Sequence, residues 1–108
     1  MKLPQDATID PEKITHYLLR PRDEDDKSAF LGQVGYTQSQ AEQLLTDLRR
    51  QIQPLDAECL GTLLYGTKYR IRGVLRGPNG RELRIVSIWA TIEKTGFTKF
   101  ITLYPDNL

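Results

Sequence analysis

The sequence predicts an α+β fold in which about three N-terminal helices pack on a C-terminal antiparallel sheet of about four strands. Apolar residues recur at helical spacing before Pro54, β-branched and aromatic residues take over after it, and Pro and Asn-Gly turn signals divide the second half. At 108 residues the chain is near the commonest domain size, so a single domain spanning 1–108 is expected.

The first helix starts with Asp10 as N-cap, Pro11 at the first helical position and Glu12 where a carboxylate favours the helix dipole. Ile14, Tyr17, Leu18 and Pro21 form one stripe, Pro21 stops the helix, and His16 falls on the polar side as a surface histidine. Arg20 to Asp26 reads as a charged loop. A short helix is predicted from Lys27 to Val34, ended by Gly35 in the left-handed conformation, with Tyr36 closing the turn. Thr37 and Gln40 make a capping-box start for the third helix, in which Ala41, Leu44, Leu45, Leu48 and Ile52 recur at helical spacing.

Strands are predicted at about 58–65, 68–75, 83–92 and 98–104. Arg76-Gly77-Pro78-Asn79-Gly80-Arg81 joins the second and third as a hairpin, and Thr95-Gly96 marks another turn. The third strand is apolar on both faces, as a central strand covered by helix on one side would be, and Trp89 is expected in the core.

A composition of 39% hydrophobic and 27% charged residues is that of a globular domain, not a disordered or membrane-embedded one. No apolar run approaches the roughly 18 residues a bilayer requires, and Met1 to Asp6 lack a signal-peptide h-region, so no membrane contact and a cytoplasmic location are expected. Cys59 has no second cysteine for a disulfide or zinc pair and reads as a buried small hydrophobe. Walker loop, zinc motif and nucleophile elbow are missing, and no metal or other cofactor is expected.

The net charge of +1 conceals an asymmetry. Residues 1–58 hold eleven acids and seven bases, residues 59–108 three acids and eight bases, so the halves carry −4 and +5. Such a split points to an anionic partner or to docking of one half on the other. Along the second strand Lys68, Arg70 and Arg72 alternate with Tyr69, Ile71 and Gly73, which places the three bases on one face. With Arg76, Arg81 and Arg84 they make six bases against the single acid Glu82 between Thr67 and Arg84. A row of this kind binds phosphates through charge and guanidinium forks; a solvated sheet face, or ion pairs with Asp23 to Asp26, are the other readings. On the last strand Phe100, Thr102 and Tyr104 share a face. The Thr102 and Tyr104 hydroxyls can meet a phosphate or base, or can simply belong to good strand formers.

Several strings add a family resemblance: Lys13-Ile14-Thr15-His16-Tyr17-Leu18-Leu19, Lys27-Ser28-Ala29-Phe30-Leu31 with Gly35-Tyr36, Tyr65-Gly66-Thr67-Lys68-Tyr69, Gly77-Pro78-Asn79-Gly80-Arg81, Val86-Ser87-Ile88-Trp89 and Thr102-Leu103-Tyr104-Pro105. In this order they resemble a family of small uncharacterised bacterial proteins, itself similar to the C-terminal domains of polymorphic and contact-dependent toxins and, by fold analogy, to the barnase, EndoU and RelE group of ribonucleases. The resemblance implies RNA lying across the sheet and metal-free cleavage to a cyclic phosphate. It nominates Lys27, Arg81, Thr102 and Tyr104 as catalytic, with Lys27 and Arg81 stabilising charge on the phosphate, and Tyr69, Thr102 or Tyr104 orienting the 2′-hydroxyl or a base. Lys68, Tyr69, Arg70, Arg72 and Arg84 are then the RNA-binding set, and a small antitoxin or immunity-type protein is the implied partner. Two departures, the acidic Asp23-Glu24-Asp25-Asp26 where relatives carry a basic loop and the lack of a histidine on the sheet, support the alternative: a non-enzymatic interaction module such as an antitoxin, immunity protein or inactive relic. An unpaired strand edge leaves oligomeric state open.

Overall fold

A computed structural model describes residues 1–21 and 27–107. The acidic segment from Asp23 to Asp26, expected to be a charged loop, lies outside the described residues. The class is α+β, with three short helices preceding a four-stranded antiparallel sheet of order β1-β2-β3-β4. The helices are α1 (Pro11–Lys13), α2 (Lys27–Gly32) and α3 (Ala41–Asp47); the strands are β1 (Glu58–Leu63), β2 (Gly66–Arg76), β3 (Glu82–Ile92) and β4 (Thr98–Pro105).

Local chemistry accounts for most boundaries. Asp10 caps α1 through its carboxylate, which accepts from the Glu12 N–H at 3.0 Å. The turn Ile14–Leu18 that continues α1 is π-helical and closes with Leu19 N–H on the Ile14 carbonyl, which puts both Leu18 and Leu19 in the core. Pro21, expected on the apolar stripe, is exposed. After α2 the chain ends in a Schellman arrangement: Tyr36 N–H bonds to the Leu31 carbonyl, Gly35 N–H to that of Gly32, and Gly35 holds φ +100°. The expected capping box does not form. Thr37 Oγ1 bonds Ser39 Oγ at 2.8 Å, Gln40 Oε1 is buried without a partner among the described residues, and a 3₁₀ turn over Gln38–Gln40 precedes α3. α3 continues as a second π-helical turn, Leu48–Ile52.

Leu44, Leu48 and Ile52 of this helical segment join Ile71, Leu75, Ile85, Trp89, Phe100 and Leu103 of the strands in one buried cluster. A Cβ on Gly73 of β2 would sit 2.5 Å from Leu55 Cδ1 and 3.1 Å from Ile52 Cδ1, so a side chain there would displace its neighbours. Trp89 meets Phe100 edge-on at 5.3 Å, and its indole N–H donates to Ser87 Oγ at 2.9 Å. The buried phenol of Tyr36 donates to Asp47 at 2.5 Å and lies 3.3 Å from the Arg76 carbonyl, tying together the end of α2, α3 and β2. An N-terminal stretch not expected from the sequence also takes part. Thr8 bridges Lys99 in parallel at the edge of β4, and Leu3, Ala7 and Ile9 are buried. Cys59 corrects its expectation: it is exposed, because it lies on the edge strand β1, most of whose residues face solvent.

Two outcomes test this packing. Burial, reinforced by the hydrogen bond to Asp47 and that residue's negative charge, pushes the Tyr36 phenol well above its ordinary ionisation range. Its stabilising effect is therefore present below about pH 10 and is lost as pH rises further. Urea midpoints of the wild type should fall above pH 10 more steeply than those of Tyr36→Phe, which at neutral pH should itself be about 1–3 kcal/mol less stable. Gly66→Ala should be more damaging, because its Cβ would lie 1.8 Å from the Thr91 carbonyl oxygen at φ +155°. Thermal unfolding should show a loss of at least about 3 kcal/mol, if the variant folds at all.

Candidate nucleic-acid interface

Strand register determines which side chains share a surface. Pairing matches Tyr69 with Trp89, Ile71 with Ser87 and Leu75 with Leu83, and these residues line the side of the sheet that carries the buried cluster. The alternate residues form the opposite, outer face as successive cross-sheet rows. One row is Glu58, Arg70, Ile88 and Thr102, across all four strands. The next is Arg72, Val86 and Tyr104, followed by Val74 beside Arg84; on the other side is Lys68, Ala90 and Lys99. With strands about 4.8 Å apart, the Arg70 and Thr102 backbones stand about 10 Å from each other, as do those of Arg72 and Tyr104.

This face has an apolar floor and polar walls. Val86, Ile88 and Ala90 of central β3 are buried, yet lie outside the core cluster. Long side chains on β2 and β4 flank them: Lys68, Arg70 and Arg72 on one side, Lys99, Thr102 and Tyr104 on the other. Tyr104 is 39% exposed, enough to present its ring and hydroxyl to a ligand. Near the chain end, Arg72, Gly73, Val74, Arg84 and Asp106 line an open depression of about 330 Å³. Asp106 is positioned there by its N–H, which bonds the Arg84 carbonyl at 2.9 Å.

Two residues distant in sequence meet at the β4 edge. Lys27, the first residue of α2, donates from Nζ to Thr102 Oγ1 at 2.9 Å and lies 5.4 Å from the centre of the Tyr17 ring. The hydroxyl and the aromatic face orient the ammonium. Lys27 and Thr102 thus come together, with Tyr104 two residues along the same strand face.

Two nominated residues do not join them. Tyr69 is partly buried against the core cluster, because strand alternation turns it away from Lys68 and Arg70. Arg81 sits in the turn beyond Arg76 and Glu82, whereas Thr102 pairs with Ile88; at about 3.3 Å per residue they are about 20 Å apart. The Arg81 backbone N–H bonds Asn79 Oδ1 at 2.9 Å, a turn contact.

Sequence reasoning overlooked Glu58, Lys99 and Asp106. Glu58 Oε2 accepts from Arg70 Nη2 at 2.9 Å. That hydrogen bond, with the Arg70 charge and a contribution from Arg72, holds the Glu58 carboxyl below its ordinary range, while Arg70 is held more firmly protonated. Ion pairs with Asp23 to Asp26, one of the readings offered for the basic row, fall outside the described residues; among the described residues Arg70 pairs with its cross-strand neighbour Glu58. Among the described residues, no three His, Cys, Asp or Glu side chains form a metal-ligand cluster, and no helix is long and apolar enough to cross a membrane.

An α+β domain with a cationic, hydroxyl-bearing outer sheet face is thus defined. The chain belongs to the family described as a domain of unknown function, DUF6883, whose model matches residues 2–107. The search of curated proteins and the search of solved structures each returned no match.

The Lys27–Thr102 contact should be measurable. A double-mutant cycle of Lys27→Met with Thr102→Val, read by urea unfolding, should return a coupling of about 1 kcal/mol. Strict additivity would mean that the contact does not hold α2 against β4.

Proposed function

We propose that this chain is a toxin-like RNA-binding domain, working in the cytoplasm, that receives the phosphodiester backbone on its outer sheet face while the helices pack on the other. The observation that carries the reading is the register: it gathers Lys68, Arg70, Arg72, Arg84 and Lys99 on the face that also bears Thr102 and Tyr104. Side chains on alternate residues of an extended strand repeat about every 6.6 Å. This spacing is comparable with that of successive phosphates in an extended single strand, so Lys68, Arg70 and Arg72 can follow one backbone. Tyr104 supplies a ring for base stacking across the apolar floor.

Metal-independent cleavage is the reaction such a face would support. The RNA 2′-oxygen would attack the adjacent phosphorus, its proton passing to water, the P–O5′ bond would break with O5′ taking a proton from water, and a 2′,3′-cyclic phosphate and a 5′-hydroxyl would result. Lys27, with Arg70 and Arg72 in the place first given to Arg81, would stabilise the charge growing on the phosphate oxygens, and Tyr104 would hydrogen-bond the 2′-hydroxyl. A small antitoxin or immunity-type protein covering this face would keep the activity in check.

One observation favours a second reading, a non-enzymatic interaction module. The only histidine, His16, lies in the helical half and is exposed, so no imidazole stands on the sheet to take up the 2′-proton. Purified protein incubated with total RNA separates the readings. Cleavage lost in Lys27→Met and Tyr104→Phe supports the nuclease; salt-dependent retardation without cleavage supports the module; neither would overturn RNA recognition. Arg72→Ala and Arg84→Ala should each weaken retardation and reduce the slope of log K against log salt by about 0.7, whereas Tyr69→Phe, on the other side of the sheet, should not.

A further inference from the structure

Arg70 is a half-buried cation of the outer face, and its bonding is incomplete. Its side chain is 27% exposed and that of Glu58 57% exposed. One guanidinium nitrogen, Nη2, meets one carboxylate oxygen at 2.9 Å. Its Nε–H is closed off from solvent and has no acceptor among the described residues. A guanidinium fork is built to engage two oxygens of one anion through parallel N–H groups. A buried donor left without an acceptor therefore marks a site that its present partner fills only in part.

The two partners differ in how they are held. Arg70 belongs to β2, which is hydrogen-bonded to a strand on either side. Glu58 is the first residue of edge strand β1, which is interrupted by a bulge at Leu60. Its carboxylate can swing into water at small cost, since an exposed ion pair contributes little. Around Arg70 stand Tyr104 and Asp106, both within electrostatic range, with Arg72 on the same strand face and Thr102 two strands away in the same row. Asp106 opposes an incoming anion, whereas the Arg72 guanidinium and the Tyr104 hydroxyl are able to engage one.

We infer that Glu58 is an internal stand-in for a phosphodiester: it occupies Arg70 in the free protein and is displaced when a backbone phosphate takes the guanidinium through Nε and Nη2. The inference rests on the RNA-binding reading and adds to it a competitor carried by the chain itself. Glu58 then lowers affinity for every polyanion and favours ligands whose other phosphates and bases engage Lys68, Arg72 and Tyr104 strongly enough to complete the exchange. Removing its charge while keeping its shape should tighten binding.

The test is fluorescence anisotropy with a 5′-labelled oligouridylate, titrated with wild type, Glu58→Gln, Arg70→Lys and the double variant over a range of salt. Glu58→Gln should bind about three- to five-fold more tightly, which is the equilibrium equivalent of an exposed ion pair, and its salt slope should steepen by about 0.7 as one more cation is free to meet the strand. Arg70→Lys keeps the charge without the fork and should abolish most of that gain in the double variant. Binding by Glu58→Gln but not by wild type also supports the inference. If wild type binds and Glu58→Gln is unchanged or weaker, or if its gain survives Arg70→Lys, the stand-in role is overturned and RNA recognition remains. If no protein binds, both fall.

Discussion

The long pairing of β2 with β3, from Gly66 opposite Ile92 to Arg76 opposite Glu82, is the constraint on which the rest of the molecule depends. Side chains alternate strictly along a strand, so a slip of one residue would turn Ile71 and Leu75 out to water and Arg70 and Arg72 into the core. Burial on one face thus fixes composition on the other. Ile71, Leu75, Ile85 and Trp89 take their places in the core cluster, and the arginines have only the outer surface left. Ser87 shows how closely the pairing is satisfied: its hydroxyl donates to the Ile71 carbonyl across the strands at 3.1 Å while accepting from Trp89.

The helical half is attached to this hairpin at several points. Tyr36 reaches Asp47 and the Arg76 carbonyl; Asn79 in the hairpin turn bonds Gln33 and Val34 carbonyls; and Gln51 exchanges hydrogen bonds with the Arg76 backbone. The Gly77-Pro78-Asn79-Gly80 turn is therefore a structural joint, consistent with its tight fit: a Cβ on Gly77 would lie 2.2 Å from the Val34 carbonyl oxygen. Lys27 makes a further link, from α2 to Thr102 on β4. Sequence distant by 75 residues meets there at the margin of the cationic face.

What the sequence made legible was local. The Asp10 cap, the Gly35 turn and the alternation of Lys68, Arg70 and Arg72 depend on residues within one or two turns or along a single strand, and each is visible in the order of side chains. What it concealed depends on which strands become neighbours. Glu58 meets Arg70 only through the register of β1 with β2, and Asp106 meets Arg84 only because β4 ends beside β3. Thr8 bridging Lys99 is of the same kind. Tyr69 was misplaced because a role suggested by resemblance was set above the alternation that already turned it inward. Arg81, also nominated by resemblance, stands apart from Thr102 because the hairpin tip extends past the end of β4. Cys59 is exposed because coverage of an edge strand is a tertiary property, unseen in its apolar neighbours Leu60 and Leu63.

The central claim is that the outer sheet face, with Lys27 of α2 at its margin, is the surface that meets RNA. Photocrosslinking with a 4-thiouridine-substituted oligonucleotide, followed by mass-spectrometric mapping of the adducts, addresses it most directly. The account predicts adducts centred on Tyr104 and its cross-strand neighbours, with none at Trp89 or on α3. Adducts confined to the helical half, or spread without preference over the whole surface, would contradict it.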